Sequence, residues 1–169
     1  MSLSNTITAS IVLIGVLALI GSATVSLMAV LNGYISVWTG VTEAERVRLD
    51  IRLQLSITNV GDRTVEATVR NTGSRTIFLT PGWNDVIIAY NASGDWKPFL
   101  SSFTVVEIRV ADSECSFQPS THPYVNPGEE AVIIVQLPDG APDILSGSPI
   151  IAVFVSHYGV SAVAEAVKP

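Results

Sequence analysis

One cysteine, Cys115, stands in 169 residues. No disulfide can form within the chain, so a folded domain must hold together through its core, and a lone thiol is expected to be buried. Histidine is nearly as scarce, with His122 and His157 the only two. A zinc site needs clustered Cys, His or carboxylates. Asp112, Glu114, Cys115 and His122 are near one another, but their spacing matches no metal motif, and residues 112–123 read as a surface loop. Ser156 and His157 do not make a nucleophile–base pair, because neighbours on a strand point to opposite faces. No glycine-rich phosphate cradle is present, and the acidic residues are dispersed. The expectation is a chain that is not an enzyme and takes no metal or other cofactor.

Charge is sparse as well. Charged residues make up 14% of the chain, against about 25% in an ordinary soluble domain. The deficit is local: no charged side chain precedes Glu43, so the sequence divides near residue 43 into an apolar segment and a soluble one. We expect two parts, an anchoring helix over 1–45 and a folded domain over 46–169. The net charge of −6 and pI of about 4.7 carry no footprint for nucleic acid.

The uncharged stretch is about twice the roughly 20 residues that a membrane-spanning helix needs, and no proline interrupts it. A signal peptide would carry a basic n-region and a shorter apolar core. Neither is seen before Arg46, so the expectation is an uncleaved anchor. Gly15, Ala18, Ser22, Ser26, Ala29, Gly33, Ser36 and Gly40 step by three or four residues and trace one helix face. Small residues let helices approach closely in lipid, which makes this stripe the candidate seam for helix packing in an oligomer. Tyr34 and Trp38 suit an interfacial aromatic belt. Basic residues Arg46, Arg48 and Arg52 follow the helix. By the positive-inside rule they favour a cytoplasmic domain, whereas the sequon Asn91-Ala92-Ser93, a candidate glycosylation site, favours the opposite.

From Leu49 the period becomes two. Leu49, Ile51, Leu53, Leu55 and Ile57 alternate with polar residues, predicting a strand with one buried face. Turn signals at 59–62, 71–74, 92–95, 126–129 and 138–140 separate further strands at 64–70, 76–80, 86–91, 103–111, 131–137, 150–156 and 160–167. About eight short strands with turns every 8 to 12 residues predict an all-β, immunoglobulin-like sandwich, with a barrel as the alternative. Trp83 and Trp96 fall in apparent loops. Each is a candidate partner contact or a cap on the core.

The layout, an uncharged helix followed by a sandwich, resembles the archaeal type IV pilin-like superfamily. Within it the chain is similar to the archaellum stator proteins, components F and G. The likeness rests on residues 48–79, above all on Val69-Arg70-Asn71-Thr72-Gly73-Ser74-Arg75-Thr76-Ile77, and on the turn Asn126-Pro127-Gly128-Glu129. Component F is the better fit. The basic leader and early glutamate of filament subunits are not seen in residues 1–42. The resemblance implies a structural stator in the cell membrane, its β domain outside the cell. It also implies as partners the surface-layer protein, a sister stator component, and the archaellum motor or filament. The alternatives are a filament subunit of pilin or archaellin type, and a membrane-anchored extracellular binding module.

Overall fold

A computed structural model describes residues 3–92 and 94–169. Ser93, the last residue of the sequon, lies outside the described residues, as does the start of the chain at Met1. The first element is one helix, α1, Leu3–Leu49. Ten strands follow: β1 Leu53–Val60, β2 Thr64–Asn71, β3 Ile77–Phe78, β4 Asp85–Ala92, β5 Asp95–Val110, β6 Ser116–Phe117, β7 Tyr124–Val125, β8 Glu129–Gln136, β9 Pro149–Val155 and β10 Ser161–Val167. The chain divides into two compact units between Glu45 and Arg46.

α1 is long and apolar enough to cross a membrane. Its 47 residues span about 70 Å at 1.5 Å per residue. Apolar side chains surround it, including Ile11, Leu19, Val25 and Val37, all exposed. A helix without a polar face suits lipid rather than the surface of a soluble core.

The strands form a two-layered antiparallel sandwich. Hydrogen bonds run along the path β1-β2-β8-β5-β4-β9-β10, with β6 beside the end of β5 and β3 paired with β7. The sixteen-residue β5 turns the corner between layers. Its first half pairs with β4 and its second half, from Ser102, pairs with β8. β1 and β10, the two ends of the path, touch each other, so the sandwich is nearly closed and partly barrel-like. Inward residues of both layers build the core, with Tyr90, Ile88 and Phe154 from one and Val65, Ile108 and Ile133 from the other, all inaccessible to solvent or nearly so. The Tyr90 hydroxyl donates to the Pro142 carbonyl, which satisfies the one polar atom of that ring. Burial raises the Tyr90 pKa above its ordinary value.

Four expectations need correction. The alternation from Leu49 is not yet strand: α1 runs to Leu49, which is exposed, and Ile51 enters the core from the bend before β1. The expected turn at 92–95 is a tight hairpin, and Trp96-Lys97-Pro98 belongs to β5 rather than to a loop. Pro98 is tolerated because β8 pairs only with the second half of β5, so the first half has an open side where a missing N–H costs no ladder bond. The stretch 112–123 is not simply a surface loop, because β6 lies in it and the His122 side chain is only 14% exposed. Finally, Cys115 is exposed, not buried. Its carbonyl accepts from the Val110 N–H at 2.9 Å, which holds the backbone against β5 while the thiol faces solvent.

Candidate functional site

The two stretches that carry the family resemblance meet in space, around the point where the chain leaves α1. The turn after β2 does the holding. The Thr72 N–H donates to the Arg52 carbonyl at 2.8 Å, and the Ser74 N–H donates to the Asp50 carbonyl at 2.9 Å. The Ser74 hydroxyl adds a longer bond to the same Asp50 oxygen, at 3.3 Å. Gly73 lies against this segment so closely that a Cβ there would sit 2.5 Å from the Arg52 nitrogen and 2.6 Å from the Asp50 oxygen. Only glycine fits, and the reason is contact rather than dihedral freedom. Arg75 and Asp50 form an ion pair at 3.5 Å, both side chains about 40% exposed, so it contributes under about 1 kcal/mol.

Asn71 organises the turn from inside. It is fully buried. Its amide donates to the carbonyls of Arg75 at 2.6 Å and Val125 at 2.9 Å, and its side-chain oxygen accepts from the Gly73 N–H at 3.0 Å. A buried amide is costly unless partnered, and here three bonds fix the turn. The Asn71 carbonyl accepts from the Gly128 N–H at 2.9 Å, which brings in the second stretch. In Asn126-Pro127-Gly128-Glu129 the Glu129 N–H bonds the Asn126 carbonyl at 3.0 Å. Gly128 has φ +84°, as the third position of a type II turn demands.

Glu129 then extends the network. One carboxylate oxygen accepts from the Asn126 N–H at 2.8 Å and meets His122 Nε2 at 2.9 Å. Burial pushes the Glu129 pKa up, but bonds from His122 and Asn126 outweigh it and hold the carboxyl below its ordinary value. The His122 ring packs between Phe117 and Tyr124, with centroids at 4.6 and 4.0 Å. The carboxylate and the two rings hold this histidine on both sides, and the arrangement braces the turn at 126–129.

The other sequence candidates lie elsewhere. Gly15, Ala18, Ser22, Ser26, Ala29, Gly33, Ser36 and Gly40 are all exposed on α1, and a Cβ added at Gly15, Gly33 or Gly40 would meet nothing within 4 Å. Asn91 is exposed near the β4–β5 hairpin and accepts from the Gly94 N–H at 2.9 Å. Trp83 is 57% exposed and Trp96 50%, so neither is a buried cap. Trp83 rests against the His157 ring at 5.7 Å. His157 Nδ1 is buried without a hydrogen-bond partner, and burial lowers its pKa. Among the described residues, no three His, Cys, Asp or Glu side chains gather where they could hold a metal ion. A groove of about 820 Å³ runs beside the corner of β5 between Leu79, Leu100, Phe103 and Pro123, and the one ionisable side chain in its described lining is Asp85.

No protein-family model matches the sequence, and no curated protein does. Among solved structures, the archaeal flagellum of Methanospirillum hungatei strain JF1 is similar over 96% of this chain and 92% of its own, at 15% identity and TM-score 0.58. What is shared is the fold. The match runs through helix and sandwich together. The archaellum periplasmic stator protein FlaG from Sulfolobus acidocaldarius is 20% identical over 68% of this chain and 100% of its own, at TM-score 0.43. The complex of FlaF and FlaG from the same organism gives 20% identity, 67% and 88% coverage and TM-score 0.42. The last two superpose too loosely to bear on function.

Proposed function

We propose that this chain is a structural, non-enzymatic component of the archaellum: a stator or scaffold anchored in the cell membrane by α1, with the sandwich outside the cell. The observation that carries the reading is the clasp on Asp50–Arg52. A stator's sandwich must not be pulled open where its own chain enters it. The chain emerging from α1 is gripped within three residues by two backbone hydrogen bonds and a glycine contact, and Asn71 and Glu129 brace that grip from behind. The residues that do this are those by which the sequence resembles component F. On this reading the sandwich binds the surface-layer protein and a sister stator component.

The whole-chain likeness to the Methanospirillum hungatei flagellum supports a second reading, a filament subunit. Shearing separates the two. Filaments sheared from cells should be free of this chain, and the cell membrane fraction should hold it. Protease added to cells stripped of their surface layer should remove the sandwich, and detergent extracts of the full chain should carry the surface-layer protein with them. Recovery of the chain mainly in sheared filaments would sink the stator reading in favour of the subunit.

A further inference from the structure

We propose that the gap along the second half of β5 takes an extended, uncharged segment of a partner protein, added as one more strand. β5 has an open side in each of its halves, and the two differ. The first half is open on the β8 side and carries Lys97 and Pro98, the charge and the missing N–H that keep a free edge from pairing. The second half is open on the other side, where β4 stops pairing at Ser101 and β6 starts at Ile108. Between them runs Ser102-Phe103-Thr104-Val105-Val106, with neither proline nor charge before Glu107.

The register shows which backbone groups are free. The Leu137 N–H donates to the Arg63 carbonyl at 3.0 Å, and Val135 faces Val65 two residues along. Antiparallel hydrogen bonding alternates along a strand. Ile134 and Gln136 therefore turn to β5, where they pair with Thr104 and Ser102. That leaves the N–H and C=O of Phe103 and Val105 facing the gap, with no backbone partner among the described residues. A small ligand meets one or two such groups, whereas an extended chain meets all four in one ladder.

The occupant follows from the walls and the charge. The groove of about 820 Å³ lies along this edge and includes Phe103 and Val105 in its lining. Pro81, Pro119 and Pro123 stand in its walls, and they lack the N–H that a ladder needs, so the walls do not close the gap. Leu79 and Leu100 are apolar, and Asp85, at the β4 end, is the one ionisable side chain in the described lining. The segment that fits is therefore uncharged along its length, apolar at alternate positions, with at most a cation where it reaches Asp85. Residues 102–107 at about 3.3 Å each give about 20 Å of edge, room for a strand of about five residues. Among the described residues the chain has no such strand to lend to a copy of itself. Its strands are already paired in the sandwich, and the connection 137–148 is tied down by buried Ala141 and Ile144. The donor is thus a different protein, and this holds for a stator and for a filament subunit alike.

The test uses the full chain in detergent as the target for a displayed library of random peptides about seven residues long. Enriched peptides should alternate apolar residues, and a labelled synthetic copy of the best one should bind in a fluorescence titration. A strand pairs through one edge only. Methylating the alternate amides on that edge of the peptide should weaken binding roughly tenfold or more, the loss of one or two backbone bonds. Methylating the amides of the other edge should leave it about where it was. On the protein, Val105→Pro removes a gap-facing N–H and no bond to β8, and Leu100→Lys, at a 64% exposed position, puts a charge in the wall. Each should weaken binding by a similar factor with the thermal transition unchanged, and Leu100→Lys carries the test alone if Val105→Pro does not fold. Three results would overturn the proposal: no enriched peptide, equal loss from methylating either edge, or binding indifferent to Leu100→Lys.

Discussion

Replacing Gly73 by alanine adds one methyl group, yet it should be among the most damaging small changes in the sandwich. The new Cβ would meet the backbone of Arg52 at 2.5 Å and of Asp50 at 2.6 Å, and the Ile51 carbonyl carbon at 3.1 Å. Ordinary contact begins near 3.4 Å, so residues 50–52 must retreat by about an ångström. That displacement breaks the Thr72–Arg52 and Ser74–Asp50 backbone bonds, now 2.8 and 2.9 Å, at roughly 1 kcal/mol each. It also draws Ile51, 4% exposed, part-way out of the core, for about 1 kcal/mol more. The sum is about 3 kcal/mol, which for a domain of this size lowers Tm by roughly 10 °C. Calorimetry of the full chain in detergent would measure it. Gly82→Ala is the comparison: its φ is +79° with open space around the site, so it should cost only about 1 kcal/mol of backbone strain. Hydrogen exchange would add the location, with the Thr72 and Ser74 amides losing protection in Gly73→Ala. A Gly73→Ala protein that melts within a degree of the parent, with those amides still protected, would refute the reasoning.

Acid should weaken the sandwich in two stages. Burial lowers the His157 pKa below 6.5, so the unfolded chain takes up that proton first and stability falls as pH drops below 6.5; His157→Gln should flatten the Tm profile between pH 7 and 5, and an unchanged slope would count against the buried neutral ring. Glu129, held low by His122 and Asn126, contributes stability above about pH 4.5 that is lost in stronger acid, and Glu129→Gln should remove that later fall. Ser22→Leu with Ala29→Leu keeps α1 apolar but fills the stripe; at about 1 kcal/mol per packed position, cross-linked oligomer in membranes should drop roughly tenfold, and an unchanged yield would make the stripe mere composition. Cys115, exposed, should react fully with a maleimide in the folded protein; protection until denaturant is added would contradict its placement.

The helix was legible because its signal is an absence: no charge before Glu43 survives any local detail. Its end was not. Leu49 and Ile51 fit a strand period, but whether residues 50–52 bend or extend is decided by Thr72, Gly73 and Ser74, some twenty residues on. β4, β9 and β10 announced themselves as apolar runs, whereas the first half of β5 was hidden by Lys97 and Pro98, residues typical of turns that an open strand side accommodates. The motif 69–77 could be recognised as a pattern. That Asn71 and Gly128 touch could not be read, since it depends on β2 pairing with β8. The His122–Glu129 pair was missed for a similar reason: a separation of seven matches no local element, and only the turn at Pro127-Gly128 folds the carboxylate back.

β5 serves in both layers, and this sets how the sandwich can come apart. Peeling β4 and its neighbours away must bend the same strand that β8 depends on, so neither layer has an independent exit. Partial opening is confined to the outermost strands, β1 and β10. Amides in the middle of β5, around Ser101 and Phe103, should exchange only through global unfolding, with one free energy common to both halves of the domain. Apart from those two strands, a domain built this way yields as one unit and regains its shape as one.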